Sequence, residues 1–174
     1  MKRNVLMFGT IMLFGGLLIS CDSNDDVPCP EDFSGALTAE EGQLIGSWAL
    51  SAIVSDTAID MTDDGEDNPS TNFFAQYGDC QKDAVYTFGT DRGYTFDQSQ
   101  NVESCDNQVS LEGTWRLASD QLSLVSGCSL QNINLDLAGN GQSFSFTGDF
   151  NVRDVSGTVR PAKITFTYSL VPSV

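Results

Sequence analysis

Hydrophobic and polar residues alternate with a period of two over most of the chain after residue 47. The alternation is clearest over residues 111–117, where Leu, Gly, Trp and Leu occupy the odd positions and Glu, Thr and Arg the even ones. Such a pattern predicts a half-buried β-strand with one apolar and one wet face. Eight stretches of this kind occur, near residues 48–54, 84–88, 94–96, 111–117, 122–124, 133–137, 144–152 and 164–170.

Short turns join most of these predicted strands, which favours antiparallel pairing between neighbours. Asn140-Gly141 is the strongest hairpin signal among them. Eight amphipathic strands bury their apolar faces and edges best by closing into a barrel. A sandwich of two sheets satisfies the same alternation, but the orderly hairpins favour the barrel. We therefore predict an all-β, eight-stranded antiparallel up-and-down barrel, preceded by a short helical turn at the capping-box pattern Thr38 to Glu41.

Residues 55–79 form the longest predicted loop, and most of the acidic residues in this loop lie close together in the sequence. Asp60, Thr62 and Asp64, followed by a glycine, match the first ligands and the sharp turn of a calcium loop. Thr71 stands where a bidentate glutamate is expected, so the match is incomplete. One interpretation is a structural calcium ion bound by Asp60 and Asp64, and the other is a solvated acidic loop. No other cofactor is expected.

The first residues of the chain have the organisation of an export signal. Lys2 and Arg3 precede an apolar run over residues 5–19, which is too short to span a bilayer. The run ends in Leu-Ile-Ser-Cys at Cys21, which resembles the lipobox of bacterial lipoproteins. The resemblance implies a signal peptide over 1–20, a lipidated Cys21, an acidic tether over 21–37 and a barrel domain over 38–174. It places the protein on the outer membrane, facing the periplasm or the cell surface.

The charge of the chain excludes several classes of partner. The net charge is −16, and after loss of Lys2 and Arg3 six basic residues remain against 24 acidic ones. Nucleic-acid binding needs clustered basic residues, and anionic headgroups repel an acidic surface. We therefore expect a soluble monomeric domain that contacts the bilayer only through the acyl chains on Cys21.

Four cysteines remain once Cys21 is assigned to the anchor. An even number outside the cytoplasm predicts two disulfides. Cys80 and Cys105 flank two strands of a predicted hairpin, which favours their pairing, and Cys29–Cys128 would then fasten the tether to the domain. A metal site is the alternative, but the sequence has no histidine and no CxxC spacing.

A wider set of residues resembles the lipocalin-like domain of bacteroidete-type lipoproteins, over about residues 40–171. The set consists of Gly46-Ser-Trp48, Cys80-Gln-Lys-Asp83, Phe88, Tyr94, Cys105 and Gly113-Thr-Trp115-Arg116-Leu117. In lipocalins the tryptophan of the Gly-x-Trp motif closes the barrel floor and stacks against an arginine near the last strand. The resemblance implies Arg160 as that arginine, with Arg116 as the alternative.

The residues required for common catalytic sites are missing from the sequence, and we expect no enzyme. Without histidine there is no Ser-His-Asp triad, and neither a Gly-x-Ser-x-Gly motif nor a phosphate loop occurs. The inward positions of the predicted strands instead carry aromatic residues. These are a packed core or the walls of a ligand cavity, and the candidate ligand-binding residues are Trp48, Tyr86, Phe88, Trp115, Phe144, Phe166 and Tyr168.

Two functions follow as the main hypotheses, and an enzyme that uses a pair of carboxylates is a third that paired buried carboxylates in a cleft would favour. The first is non-catalytic binding of a small apolar or amphipathic ligand inside the barrel. The second is an interaction module that uses the barrel as a scaffold and binds a protein or glycan through loops 55–79 and 97–108.

Overall fold

The computed structural model describes residues 28–100, 102 and 104–172. Ten strands are defined in this part of the chain, together with a 3-10 turn (Glu41–Gln43) and the single-turn helices α1 (Phe73–Gln76) and α2 (Asp79–Lys82). No helix in these ranges is long and apolar enough to cross a membrane. The strands are β1 (Gly46–Ile59), β2 (Ser70–Asn72), β3 (Val85–Phe88), β4 (Gly93–Gln98), β5 (Val109–Ala118), β6 (Gln121–Ser126), β7 (Ser129–Asn134), β8 (Asp136–Leu137), β9 (Ser143–Arg153) and β10 (Val159–Leu170).

The strands form one antiparallel sheet that curls into a nearly closed barrel. Its order is β7-β6-β5-β4-β3-β1-β10-β9-β8, with β2 added beside β1. Leu135 alone separates β7 from β8 in the chain, so the two ends of the sheet come back together. Over the described residues no hydrogen-bonded ladder joins β7 to β9, and the seam there stays open.

The predicted all-β antiparallel barrel is confirmed, but the predicted count of eight strands is wrong. The stretch 133–137 is interrupted because the Leu135 amide donates to the carbonyl of Asp120 at 2.7 Å instead of joining the ladder. This interruption divides the stretch between β7 and β8. The other additional strand, β2, lies in the segment 55–79, which the sequence predicted as a loop.

Strand β1 changes its inward face halfway along. Its register against β10 shifts between Leu50 and Ala52, and a bulge of this kind moves the following side chains to the opposite face. Ile53 is therefore only 2% exposed while Val54 is 47% exposed. The alternation over residues 48–54 predicts that Trp48, Leu50, Ala52 and Val54 face the same way. That prediction is correct only as far as Leu50, because the bulge follows it.

The predicted loop over 55–79 is shorter than expected. Strand β1 continues to Ile59, and α1 follows β2 directly. The Asn72 side chain caps α1 by accepting from the amide of Ala75 at 3.1 Å. Phe73 is fully buried, so the segment contributes to the core. The irregular part of the connection is confined to residues 60–69 and to residues 77–78 between α1 and α2.

The 3-10 turn covers the closed end of the barrel, where β1 begins. The capping box is confirmed, since the Thr38 amide donates to Glu41 Oε2 at 2.7 Å and the Glu41 amide donates to Thr38 Oγ1 at 3.2 Å. Trp48, fully buried, donates from its indole nitrogen to the carbonyl of Leu44 at 2.8 Å. The turn and β1 are thereby locked together at this end.

Both predicted disulfides are confirmed. Cys80 is bonded to Cys105, and Cys29 is bonded to Cys128 across 99 residues of sequence. Residues 28–37, assigned to the tether from the sequence, form a strap along the outside of the barrel. A hydrogen bond from the Phe33 amide to Thr114 Oγ1, 2.9 Å long, also holds the strap against β5.

Candidate ligand-binding site

A cleft of about 340 Å³ lies inside the end of the barrel opposite the 3-10 turn. This volume falls at the lower end of the range for small-molecule sites. We call it the aromatic cleft, because seven of its twelve lining side chains are aromatic. These are Tyr77, Tyr86, Phe96, Phe146, Phe150, Phe166 and Tyr168.

The other lining residues of the aromatic cleft are aliphatic or carry an amide. Leu50 and Ile53 contribute apolar surface from β1, on either side of the bulge. Gln81 of α2 and Gln98 at the end of β4 supply the amides. None of the lining side chains carries a formal charge near neutral pH.

Strand pairing brings the aromatic side chains of the cleft together. Strand β1 lies between β3 and β10, so inward residues of those two strands meet across it. The rings of Tyr86 and Tyr168 are edge to face with centroids 5.2 Å apart. Phe146 pairs directly with Phe166, and their rings stack at 5.2 Å.

The seven candidate residues from the sequence lie at two depths in the barrel. Tyr86, Phe166 and Tyr168 line the aromatic cleft. The other four pack below it as a nearly solvent-free layer towards the closed end, and they are Trp48, Phe88, Trp115 and Phe144. Alternation identifies the inward face of a strand but not the depth of a residue along the barrel.

Tyr86 and Tyr168 are the most buried of the polar residues that line the aromatic cleft. The two residues are 9% and 4% exposed, and neither hydroxyl forms a hydrogen bond with a described residue. Fully enclosed side-chain oxygens and nitrogens in the described ranges all have partners, so these two hydroxyls face the cleft.

Both tyrosines stay protonated over the whole physiological range. Burial, followed by the nearby Tyr94, raises the pKa of Tyr86 to about 12. Burial and the neighbouring Tyr86 raise the pKa of Tyr168 well above its ordinary value. Each ring therefore offers the cleft a neutral hydroxyl that can donate a hydrogen bond.

Asp60 and Asp64 lie close together in the 60–69 turn, where their carboxylates organise the backbone. Asp60 accepts from the amides of Thr62 and Asn68 at 3.0 and 3.3 Å, and Asp64 accepts from the amide of Glu66 at 2.9 Å. No group of three or more His, Cys, Asp or Glu in the described ranges is arranged as a metal site. Calcium at Asp60 and Asp64 stays a prediction.

Neither arginine suggested by the lipocalin resemblance lies at the closed end beside Trp48. Arg160 is ten residues, or about 33 Å of extended strand, from Leu170, the β10 partner of Trp48. Its partner is Asp154, at 2.9 Å. Arg116 lies outside the barrel over the ring of Phe33.

The arginine that is buried at the closed end is Arg92, which the sequence did not single out. It lies in the turn between β3 and β4 and is 6% exposed. Its guanidinium donates to both carboxylate oxygens of Glu41 and to the carbonyls of Gly35, Ala36 and Trp115. No local pattern distinguishes Arg92, because all its partners are distant in sequence.

The predicted lipidation site, Cys21, and the predicted signal peptide over 1–20 lie outside the described residues. A family model described as "Domain of unknown function (DUF5004)" matches residues 22–171. That description names neither lipocalins nor lipoproteins. No curated protein matches the chain.

Proposed function

The chain belongs to the DUF5004 family, and since that membership assigns no activity, we propose that it is a lipocalin-like ligand carrier without catalytic function. The ligand is small, apolar or amphipathic, and occupies the aromatic cleft. The single observation that supports this proposal is the cleft itself, a space of about 340 Å³ with aromatic walls at one end of the barrel.

The composition of the walls supports an apolar ligand. Burial of apolar surface contributes roughly 25 cal/mol per Å², and the cleft offers aromatic and aliphatic surface on all its strands. Rings such as those of Phe146 and Phe166 are already stacked on one another. The cleft is thereby preformed, which lowers the entropic cost of binding.

The proposal places the barrel outside the cytoplasm, held to the outer membrane by acyl chains on Cys21. Its support is the lipobox sequence and the two disulfides, which are typical of oxidising compartments. A chain that begins at Cys21 retains every contact described above. A Cys21→Ser form of it provides an unlipidated protein for solution measurements.

Titration with the neutral fluorophore N-phenyl-1-naphthylamine tests cleft binding. We expect saturable binding with a blue-shifted emission. Gln98→Trp, which places an indole at a half-buried position of the cleft, should weaken it by about tenfold or more. Gln131→Trp on the exposed face of β7 is the matched control and should leave binding unchanged. Absence of saturable binding, or equal binding by both variants, contradicts the proposal.

Protein or glycan binding through residues 55–79 and 97–108 is the second candidate. Tyr77 of the first segment and Gln98 of the second line the cleft, so a partner bound to these segments would cover its open end. Deletion of residues 63–67 separates the two functions. It should leave fluorophore binding intact under the first proposal, and abolish partner capture under the second.

A further inference from the structure

We propose that the aromatic cleft selects an uncharged ligand whose oxygen acceptor, such as a carbonyl, accepts hydrogen bonds from Tyr86 and Tyr168. This inference rests on the proposed function and adds the chemical class of the ligand. It also states which class the cleft rejects, namely carboxylates of the same size and shape.

The hydroxyl groups of Tyr86 and Tyr168 indicate that the ligand carries a hydrogen-bond acceptor. Tyr86 and Tyr168 are at least nine-tenths buried, adjacent, and without a hydrogen-bond partner among the described residues. Neither hydroxyl oxygen is fully enclosed, so a ligand in the cleft that displaced water from them without supplying an acceptor would leave two donors unpaired, which costs binding free energy. A carbonyl oxygen has two lone pairs and can accept from both hydroxyls at once.

The electrostatics of the cleft exclude an anion. None of the six basic residues that follow the signal segment lines the cleft. Lys82, the one that belongs to α2, lies over the ring of Phe74, 5.5 Å from its centroid. A carboxylate in the cleft would lose its hydration without gaining a countercharge. The strongly acidic surface around the barrel adds a further repulsion.

Three naphthalene probes with a common body separate these properties. They are 6-propionyl-2-dimethylaminonaphthalene, its 6-propyl analogue without the carbonyl, and 6-dimethylamino-2-naphthoate. Binding is measured on the Cys21→Ser chain that begins at residue 21. We expect the ketone and the propyl analogue to bind, and the naphthoate to bind at least tenfold more weakly than the ketone at pH 7.

Removal of the hydroxyls tests their role directly. Tyr86→Phe with Tyr168→Phe should weaken ketone binding about tenfold, the value of one to two hydrogen bonds, and leave the propyl analogue unchanged. Tyr94→Phe is the matched control, because Tyr94 is also a buried tyrosine but does not line the cleft. It should change neither affinity.

The emission of the ketone gives a second readout that needs no variant. Hydrogen bonding to its carbonyl shifts the emission to longer wavelength than in a dry apolar site. We expect that shift in the unsubstituted cleft and its loss in the double variant. If no probe binds, the proposed function itself fails. If the ketone binds with the emission of a dry site, or the naphthoate binds equally well, the cleft remains a binding site and the acceptor proposal is overturned.

Discussion

Arg92 and Glu41 form a buried two-pronged ion pair at the closed end of the barrel, with Nη1–Oε1 at 2.7 Å and Nη2–Oε2 at 3.0 Å. The remaining guanidinium N–H groups donate to carbonyls of the strap and of β5. All five donors of Arg92 are thereby used. The pair joins the 3-10 turn, the strap, β5 and the β3–β4 turn, which are distant in sequence.

Loss of the arginine should destabilise the fold strongly. Arg92→Asn removes the guanidinium, and asparagine tolerates the positive φ of 69° at this position. Glu41 would remain as a buried, unpaired charge, which typically costs 3–5 kcal/mol. We expect a loss of about that size in the free energy of unfolding, measured by urea denaturation.

Two further variants check this explanation. Arg160→Asn breaks the ion pair to Asp154, in which the arginine side chain is 53% exposed, and should cost at most about 1 kcal/mol. Glu41→Gln added to Arg92→Asn removes the buried charge and should restore part of the stability. If the double variant is less stable than Arg92→Asn, the unpaired carboxylate is not the cause.

The Glu41 carboxylate should make stability depend on acid pH. Burial alone would raise the pKa of this carboxyl group. Hydrogen bonds from Arg92 and from the amides of Thr38 and Leu117 outweigh that effect together and lower the pKa from 4.5 to about 2. The folded state therefore binds fewer protons than the unfolded state in this range. The contribution is complete above about pH 4.5 and is lost as the pH falls towards 2.

Urea denaturation at several pH values measures this contribution. The shift corresponds to about 3 kcal/mol, so between pH 5 and pH 2 the unsubstituted protein should lose about that much more stability than Glu41→Gln. Glu66→Gln, at an exposed position of the 60–69 turn, is the control and should follow the unsubstituted protein. Parallel pH profiles for the protein and Glu41→Gln contradict the assignment.

Alternation in the sequence predicted the strands well because most strands have one wet face; β6, in which Leu122 to Val125 are all buried, is an exception. Each of the eight predicted stretches overlaps a strand, and the disulfide pairing follows from the hairpin between β3 and β4. The bulge after Leu50, the break at Leu135 and the Arg92–Glu41 pair were not predictable, because each depends on a distant segment.

The candidate site was predicted less completely than the fold. Tyr86, Phe166 and Tyr168 line the aromatic cleft, while the other predicted residues pack below it. The lining residues Tyr77 and Gln81 were missed because they lie in a segment read as a loop and in α2. Their place on the wall of the cleft depends on how the chain between β2 and β3 folds, which the local sequence does not reveal.

Gly113 is required by the close approach of β5 and β6. A Cβ at this position would collide with the backbone carbonyl of Val125, which cannot move without breaking the ladder. We expect Gly113→Ala to lower the free energy of unfolding by about 2–4 kcal/mol. Gly139→Ala, where no atom lies within 4 Å of the added Cβ, is the control and should be nearly neutral. Equal stability of the two variants would show that β6 can shift.

Calcium binding at Asp60 and Asp64 predicts a concentration-dependent gain in stability. With a dissociation constant of about 0.1 mM, as in extracellular modules, 1 mM calcium would contribute about 1.4 kcal/mol. The melting temperature would rise accordingly and fall again with chelator, and Asp64→Asn would remove the response. If calcium does not change the melting temperature, the calcium prediction is wrong. The two carboxylates then only accept the hydrogen bonds from Thr62, Glu66 and Asn68.

The two disulfides should differ in their contributions to stability. In the chain-entropy account the gain grows with the length of the closed loop, and the loops span 99 residues for Cys29–Cys128 and 25 for Cys80–Cys105. Replacement of both cysteines of a pair by serine should therefore cost about 4.7 kcal/mol for Cys29–Cys128 and about 3.5 kcal/mol for Cys80–Cys105. The measurement is urea denaturation of each double variant at pH 7. A smaller loss for the Cys29–Cys128 pair would mean that Arg92, through the carbonyls of Gly35 and Ala36, holds the strap without the covalent bond.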